Sequence, residues 1–179
     1  MERLKCIICN SDKSTQLHDL LDRYTGDSFH LEKCECGFIF LNPRPTASQI
    51  GQYYNFDMYD PHTASNKMFD RVYNFIKGLV FYYRFNLLKR YCANDINSLL
   101  DIGAGKGDFA KFCKNRGCNV TIQDILKFDS KKEIRYTEKL SEITVNNSFN
   151  SISLWHSLEH IHDTRQLFKD INRLSSKNA

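Results

Sequence analysis

The second half of the chain alternates between strand-like and helix-like hydrophobic patterns. Residues 96–102 carry the isoleucines and leucines of a buried strand, and residues 108–116 repeat apolar positions at helical spacing. Gly117 follows as a C-terminal helix cap, and residues 118–124 predict a second buried strand that ends on Asp124. This order predicts a strand-helix-strand unit in a parallel sheet.

Two further strands and a helix extend this pattern. Residues 134–137 predict a third strand, reached by a short connection, and residues 149–156 predict a fourth. Asp163 or Thr164 is positioned to cap a last helix that runs to about Leu174 and carries its apolar residues on one face.

A long helical pattern precedes the first of these strands. Apolar positions recur at helical spacing from about Ser65 to Cys92, and Gly78 in the middle is a candidate break point. Two prolines further upstream predict an extended connector, followed by a short helix over residues 47–54. The aromatic segment from Tyr53 to Pro61 has two interpretations, packing against a neighbouring domain or a lid over a site.

Cysteines are the unusual feature of the composition, with seven in the chain. Cys6 and Cys9 form one close pair, and Cys34 and Cys36 form another. Two thiol pairs on separate tight turns can supply the four ligands of a structural zinc site. Reduced thiols without a metal, or a redox role, are the alternatives. We expect a small zinc-ribbon module, because so short a segment buries little apolar core.

Composition limits the kinds of partner and cellular location that the sequence favours. The formal net charge of +4 comes without a basic block, so it does not favour a nucleic-acid partner. The sequence has neither an apolar run long enough for a membrane span nor an apolar leader, which favours a cytoplasmic protein. We expect three parts: a zinc-binding module (1–45), an aromatic-rich helical connector (46–92) and an α/β domain (93–179).

Glycines occupy every second position after the first strand of the α/β domain. Gly103, Gly105 and Gly107 suit a sharp turn in which the backbone approaches a ligand. Asp124 ends the next strand roughly 20 residues later, a spacing at which a carboxylate accepts the hydroxyls of a ribose. Asp101 would repel a pyrophosphate but suits a cationic ligand. This pattern favours S-adenosylmethionine (SAM) over a dinucleotide.

A polar cluster follows the fourth strand, where open α/β sheets place their ligands. His156, Glu159 and His160 are candidates for general-base chemistry, because the pKa of histidine suits proton transfer near neutral pH. A set of capping contacts at a helix start is the structural alternative. A metal site made by His156, His160 and His162 is a further alternative.

Several motifs, in this order, resemble one family. They are the two cysteine pairs followed by Gly-Phe-Ile-Phe-Leu-Asn-Pro-Arg-Pro, the Tyr53-Tyr54 pair, the glycine loop, and Leu154-Trp-His-Ser-Leu-Glu-His160. Together they resemble class I SAM-dependent methyltransferases with an N-terminal zinc-binding domain. That family includes sugar C-methyltransferases and enzymes of surface-polysaccharide clusters.

The resemblance implies a site and a substrate class. The implied acceptor is a small molecule, such as a nucleotide-linked sugar or a surface-polysaccharide precursor. The implied cofactor-binding residues are Asp101, Gly103, Ala104, Gly105, Asp124, Ile125 and Trp155, the catalytic candidates are His160, Glu159, His156 and Tyr54, and the zinc ligands are Cys6, Cys9, Cys34 and Cys36.

The end of the chain departs from the family pattern. The resemblance implies a longer sheet, so we expect an incomplete Rossmann-like sheet with strand order 3-2-1-4 and a C-terminal truncation. The open edge of the fourth strand would then favour self-association. The open edge also supports an alternative function. In this alternative the chain is a non-catalytic zinc-ribbon protein whose partial Rossmann domain pairs with a partner.

Overall fold

A computed structural model describes residues 1–53, 67–92, 96–125 and 134–176 of the chain. It divides into two compact units, Met1–Ser65 and Asn66–Ala179. The chain is an α/β protein, as the alternating patterns predict. Within the described residues, no helix has the length and apolar character needed to cross a membrane.

The first unit is built on a small antiparallel sheet. Strands β1 (Ser14–Leu21), β2 (Ser28–Cys34) and β3 (Ile39–Leu41) lie in the order β1-β2-β3. The short helix expected over residues 47–54 is instead a 3-10 turn at Ile50–Tyr53. It is preceded by a turn in which the carbonyl oxygen of Thr46 accepts the N–H groups of Gln49 and Ile50.

The second unit contains a parallel four-stranded sheet. Its strands are β4 (Ser98–Ile102), β5 (Asn119–Gln123), β6 (Arg135–Thr137) and β7 (Ser151–Leu154), in the order β6-β5-β4-β7. Each neighbouring pair is parallel, so all four carboxyl ends lie at one edge of the sheet. The glycine loop and the polar cluster, which follow β4 and β7, therefore lie at the same edge.

Three helices cover this sheet: α1 (Lys67–Tyr91), α2 (Asp108–Lys114) and α3 (Thr164–Leu174). Helix α1 continues through Gly78, so the break considered there does not occur. The chain turns after α2 at Gly117, whose φ of +89° suits glycine. The side chain of Asp163 caps α3 by accepting the N–H of Gln166 at 2.9 Å.

The two faces of the sheet have separate apolar cores. On one face, Leu99, Val120 and Ile122 pack with Phe85 of α1 and Phe109 of α2. On the other face, the core consists of Leu100 and Ile102 of β4 together with Phe149, Leu167 and Leu174. The central strand β4 is therefore buried on both sides, which explains why it carries apolar residues on both faces.

Candidate functional site

The loop after β4 has a backbone that glycine favours. Gly103, Gly105 and Gly107 have φ angles of +69°, +53° and +64°, a left-handed region that is unfavourable for residues with a Cβ atom. The N–H groups of Gly103 and Ala104 donate to the carbonyl oxygen of Gln123 at 2.8 and 3.2 Å. The loop is thus tied to the end of the neighbouring strand β5.

Gly103 also has no room for a side chain. A Cβ atom at this position would lie 2.3 Å from the Cβ atom of Ser157. The buried hydroxyl of Ser157 donates to the carbonyl oxygen of Ile102 at 2.9 Å, which fixes the segment after β7 against the loop. Gly103 is therefore required both for its backbone conformation and for this close approach.

Asp124 lies directly against the glycine loop. Its Oδ2 atom accepts the N–H of Gly105 at 2.7 Å, and the hydroxyl of Tyr136 donates to its main-chain carbonyl at 2.9 Å. The carboxylate is buried, whereas the next residue, Ile125, is 80% exposed. The acid that directly follows β5 is thus held within reach of a ligand resting on the loop.

Asp101 is a buried carboxylate near the end of β4, with only 3% of its surface exposed. The hydroxyl of Ser153 on β7 donates to its Oδ1 atom at 2.6 Å. Burial raises the pKa of Asp101 to about 6, although the Ser153 hydrogen bond and the positive charge of Arg84 oppose the rise. The negative charge of Asp124 adds to it. A cationic ligand group beside Asp101 would favour its ionised form.

Trp155 follows β7 and is packed between two other elements. Its ring meets that of Phe109 edge-on at 5.9 Å, and the guanidinium carbon of Arg84 on α1 lies 4.8 Å from its centroid. Within the described residues, its buried Nε1–H has no hydrogen-bond acceptor. A buried donor without an acceptor is unfavourable, so this position suits a ligand that supplies one.

The candidate bases lie on the surface after β7. His156 is exposed and has a φ of +55°, an uncommon conformation for a residue other than glycine, and such conformations cluster at functional sites. Glu159 and His160 are exposed in a 3-10 turn at Leu158–His160. Tyr54, the fourth catalytic candidate, lies outside the described residues.

Comparison with known proteins decides the family. Residues 79–179, more than half of the chain, match the family described as methyltransferase domain. The chain belongs to the methyltransferase domain family. This membership confirms the methyltransferase class that the resemblance predicted. No curated protein matches the chain.

Two solved methyltransferase structures are similar to this methyltransferase-family chain. A SAM-dependent methyltransferase from Archaeoglobus fulgidus is 19% identical with a TM-score of 0.44, over 55% of this chain and 48% of that one. The chain thus spans about half the length of that relative. A 1,6-didemethyltoxoflavin-N1-methyltransferase from Burkholderia thailandensis, with bound 1,6-didemethyltoxoflavin and S-adenosylhomocysteine, is 13% identical with a TM-score of 0.53. That match covers 89% of this chain and 69% of the other, and it shows a shared fold.

Three residues at this edge of the sheet were missed by the sequence analysis. Ser153 and Ser157 support Asp101 and Gly103. Arg84 reaches Trp155 from α1, which the sequence analysis described only as part of a helical connector. The parallel register places Ser153 opposite Asp101, so a buried serine at that position was a usable signal. For Arg84, the signal was its spacing of three and four residues from Phe81 and Leu88, which pack against the core.

The second candidate site is the cysteine cluster of the first unit. The Sγ atoms of Cys6, Cys9, Cys34 and Cys36 all lie within 4.8 Å of one another. Two of the sulfur pairs, Cys6 with Cys36 and Cys9 with Cys34, are separated by 3.6 and 3.4 Å. Tetrahedral zinc with Zn–S bonds of about 2.3 Å requires sulfur separations of about 3.8 Å, so the cluster fits such a metal.

Tight turns bring these thiols together. The carbonyl oxygen of Cys6 accepts the N–H of Asn10, and that of Cys34 accepts the N–H of Gly37. Burial raises the pKa of Cys6, but the N–H groups of Cys9 and Ile8 and the neighbouring thiols lower it to about 6 overall. A thiol that ionises readily suits a metal ligand. Because all four positions come from protein, the cluster fits a structural metal.

Proposed function

We propose that the chain binds SAM at the carboxyl ends of β4 and β7 and transfers its methyl group to a small-molecule acceptor. The observation that carries this proposal is the buried Asp124 carboxylate, held 2.7 Å from the N–H of Gly105 on the glycine loop. Family membership supports the reaction type. The location at the carboxyl ends of parallel strands supports the position of the site.

The residues of this edge fit the parts of the cofactor. Asp124 would accept the ribose hydroxyls, while Asp101 would face the cationic amino-acid end. Gly103, Ala104 and Gly105 let the backbone approach closely. The Nε1–H of Trp155, which has no acceptor in the part of the chain that the structure describes, is a donor that a bound group would satisfy. Ile125 is exposed beside Asp124 and would pack against the base.

The proposed catalytic residues position the acceptor and remove its proton. The cofactor, when bound, supplies an electrophilic methyl group on a sulfonium. His160 is the proposed general base, Glu159 is proposed to orient it, and His156 is a second base candidate. Tyr54 is proposed to contact the acceptor. Correct positioning of the acceptor contributes much of the expected rate acceleration.

The acceptor class rests on the sequence resemblance. The methyltransferase from Burkholderia thailandensis is described with a small molecule bound, which is compatible with a small-molecule acceptor here. The resemblance of the N-terminal cysteine pairs and the Pro-Arg-Pro segment makes nucleotide-linked sugars the first acceptors to test. Self-association through β7, a cytoplasmic location and the three-part division of the chain stay predictions of the sequence.

Calorimetric titration with S-adenosylhomocysteine tests the proposal. The wild-type chain should bind it with one-to-one stoichiometry, and Gly103→Ala should bind at least about tenfold more weakly, because its Cβ atom would displace Ser157 and the loop. Gly117→Ala is the matched control, since Gly117 also has a positive φ but has nothing within 4 Å of a built Cβ atom. A folded wild-type chain that does not bind would contradict the proposal.

A further inference from the structure

Helix α1 carries apolar side chains on two opposite sides. On one side, Phe81, Phe85 and Leu88 pack against the core of the parallel sheet. The other side carries a second apolar set at spacings of three and four residues, namely Val72, Phe75, Ile76, Leu79, Tyr82 and Tyr83. We call this set the exposed stripe, because in the part of the chain that the structure describes its members stay between 53% and 68% exposed.

The exposed stripe is a contiguous apolar surface on one helix. Single apolar residues are ordinary on protein surfaces, whereas a contiguous patch of large ones marks a contact with a protein or a membrane. From residue 72 to residue 83 the exposed stripe extends about 16 Å along the helix axis, at about 1.5 Å per residue. An occupant of this surface must therefore be apolar over about three helical turns.

The charges that border the exposed stripe have one sign. Arg71 lies at its N-terminal end, Lys89 and Arg90 follow its C-terminal end, and all three side chains are exposed. Residues 71–91 contain no aspartate and no glutamate. The helix therefore has no acid within this range to neutralise these cations, and the occupant should be apolar in its middle and negatively charged where it meets them.

A second copy of this chain does not fit these charges. If two α1 helices paired in antiparallel fashion along the exposed stripe, Arg71 of each copy would face Lys89 and Arg90 of the other. In a parallel pair, each cation would lie beside its own counterpart. Both arrangements bring like charges together, which opposes association.

The surface of an anionic membrane fits both the apolar and the charged parts. Its acyl chains can receive the apolar side chains, and its headgroups supply the negative charge. Tyrosine rings are enriched at membrane interfaces because they combine an apolar face with a hydroxyl group. Tyr82 and Tyr83 belong to the exposed stripe, and the same helix exposes Tyr73 and Tyr91. These aromatic rings favour a lipid surface over an acidic protein groove.

We propose that the exposed stripe of α1 docks on a membrane surface that contains anionic lipids. The helix lies along the surface, its apolar side chains enter the boundary between headgroups and acyl chains, and Arg71, Lys89 and Arg90 contact the headgroups. The opposite side of α1 stays packed on the sheet. This inference goes beyond the proposed function, because it needs neither cofactor nor acceptor and assigns the chain a surface on which it acts.

Vesicle co-sedimentation of the full chain tests this docking. Vesicles of phosphatidylcholine alone are compared with vesicles that contain about 30% phosphatidylglycerol. The wild-type chain should bind the anionic vesicles at least about tenfold more tightly than the neutral ones, because the cations border the apolar surface. Added sodium chloride should weaken the binding, since it screens the charges.

The apolar contribution is measured with the double variant Ile76→Ser, Leu79→Ser. Its affinity for anionic vesicles should fall at least about tenfold, because two apolar side chains no longer enter the lipid. The matched control is Val145→Ser, Phe168→Ser, which changes two apolar residues of the same unit that are similarly exposed. The control should bind like the wild-type chain, and thermal unfolding verifies that each variant is folded.

The charge contribution is measured with the double variant Arg71→Gln, Arg90→Gln. Its affinity for anionic vesicles should fall roughly tenfold to thirtyfold, given about fivefold for each cation near an anionic surface. Its weak affinity for neutral vesicles should not change. Arg135→Gln, Lys169→Gln is the matched control, since it removes the same charge from two exposed residues of the same unit. This control should lose less than about twofold.

Several results would overturn the inference. A folded wild-type chain that stays in the supernatant with both kinds of vesicle does not dock on lipid. If it then forms a dimer by light scattering that Leu79→Ser dissociates, the exposed stripe binds a second copy. If it instead binds soluble polyglutamate, the exposed stripe fits an acidic protein. Equal losses in test and control variants would show unspecific adsorption. Binding of S-adenosylhomocysteine, measured separately, tests the proposed function whichever result is found.

Discussion

At the residue scale, Asp101 is a carboxyl group whose ionised form is disfavoured by burial. Its pKa is raised from 3.8 to about 6, chiefly by burial, with Ser153 and Arg84 opposing the rise and Asp124 adding to it. The Cys113 thiol of α2 also feels this charge. Since the folded state binds this proton more tightly than the unfolded state, the contribution of Asp101 to stability is most favourable at low pH and falls as pH rises from about 4 to 6. This cost persists at neutral pH, where the site is proposed to work.

Asp101→Asn should therefore stabilise the protein and weaken cofactor binding. The Ser153 hydroxyl can still donate to the amide oxygen, but the buried charge is absent. The gain in the free energy of unfolding at pH 7.5 should be at most roughly 3 kcal/mol, given about 1.4 kcal/mol for each pKa unit, and it should disappear below pH 4. Urea unfolding at several pH values measures it. Affinity for S-adenosylhomocysteine should fall, because the ammonium loses its counter-charge.

A matched variant separates this effect from a general change in charge. Glu138→Gln removes an exposed carboxylate of the same unit and should leave the unfolding free energy nearly unchanged at every pH. If Asp101→Asn is less stable than the wild-type chain at pH 7.5, burial does not dominate the energetics of Asp101. The prediction that Asp101 lowers the free energy of unfolding while it strengthens cofactor binding would then be wrong.

At the element scale, Arg173 joins α3 to the segment that connects β6 and β7. Its guanidinium donates to the main-chain carbonyls of Ile143 and Leu140 at 2.8 and 3.0 Å, and to the side chains of Asn146 and Asp170 at 3.2 Å. One side chain thus satisfies two carbonyl groups of an irregular segment. Such a segment has few other means of pairing its backbone.

Arg173→Met should destabilise the second unit by about 1–3 kcal/mol, because two carbonyl groups lose a charged donor. The change in the urea unfolding midpoint, with an unchanged slope, measures this effect. Lys169→Met is the matched control, since Lys169 is an exposed cation of the same helix. Equal stability of Arg173→Met and Lys169→Met would show that solvent replaces these hydrogen bonds without cost.

The elements near the glycine loop were predictable from the sequence because local rules determine them. The apolar run of β4, the glycines after it and the Asp163 cap of α3 each act over a few residues, and each prediction agrees with the structure. The close approach of Ser157 to Gly103 was not predictable in this way. It depends on the pairing of β4 with β7, whose paired residues lie 52 positions apart in the sequence. The orientation of Arg84 likewise depends on which face of α1 meets the sheet.

At the scale of the whole molecule, the two units have different sources of stability. The second unit has an apolar core on each face of its sheet. In the first unit, the fully buried residues include Cys6 and Cys34, and Glu32 is buried with hydrogen bonds from Ser14 and Asn42. A small unit with so polar an interior would gain much of its stability from a metal bound at the cysteine cluster.

We expect purified protein to contain about one equivalent of zinc, since four thiolates complete one tetrahedral site. Cys34→Ser should lower this content, whereas Cys92→Ser, outside the cluster, should not. Zinc removal by a chelator should unfold the first unit, seen as lost strand signal in circular dichroism. The fluorescence of Trp155, the single tryptophan and a residue of the second unit, should stay unchanged because both apolar cores around the sheet remain. A chelator-induced change in that fluorescence, or a metal-free protein with an intact strand signal, would contradict this division of stability.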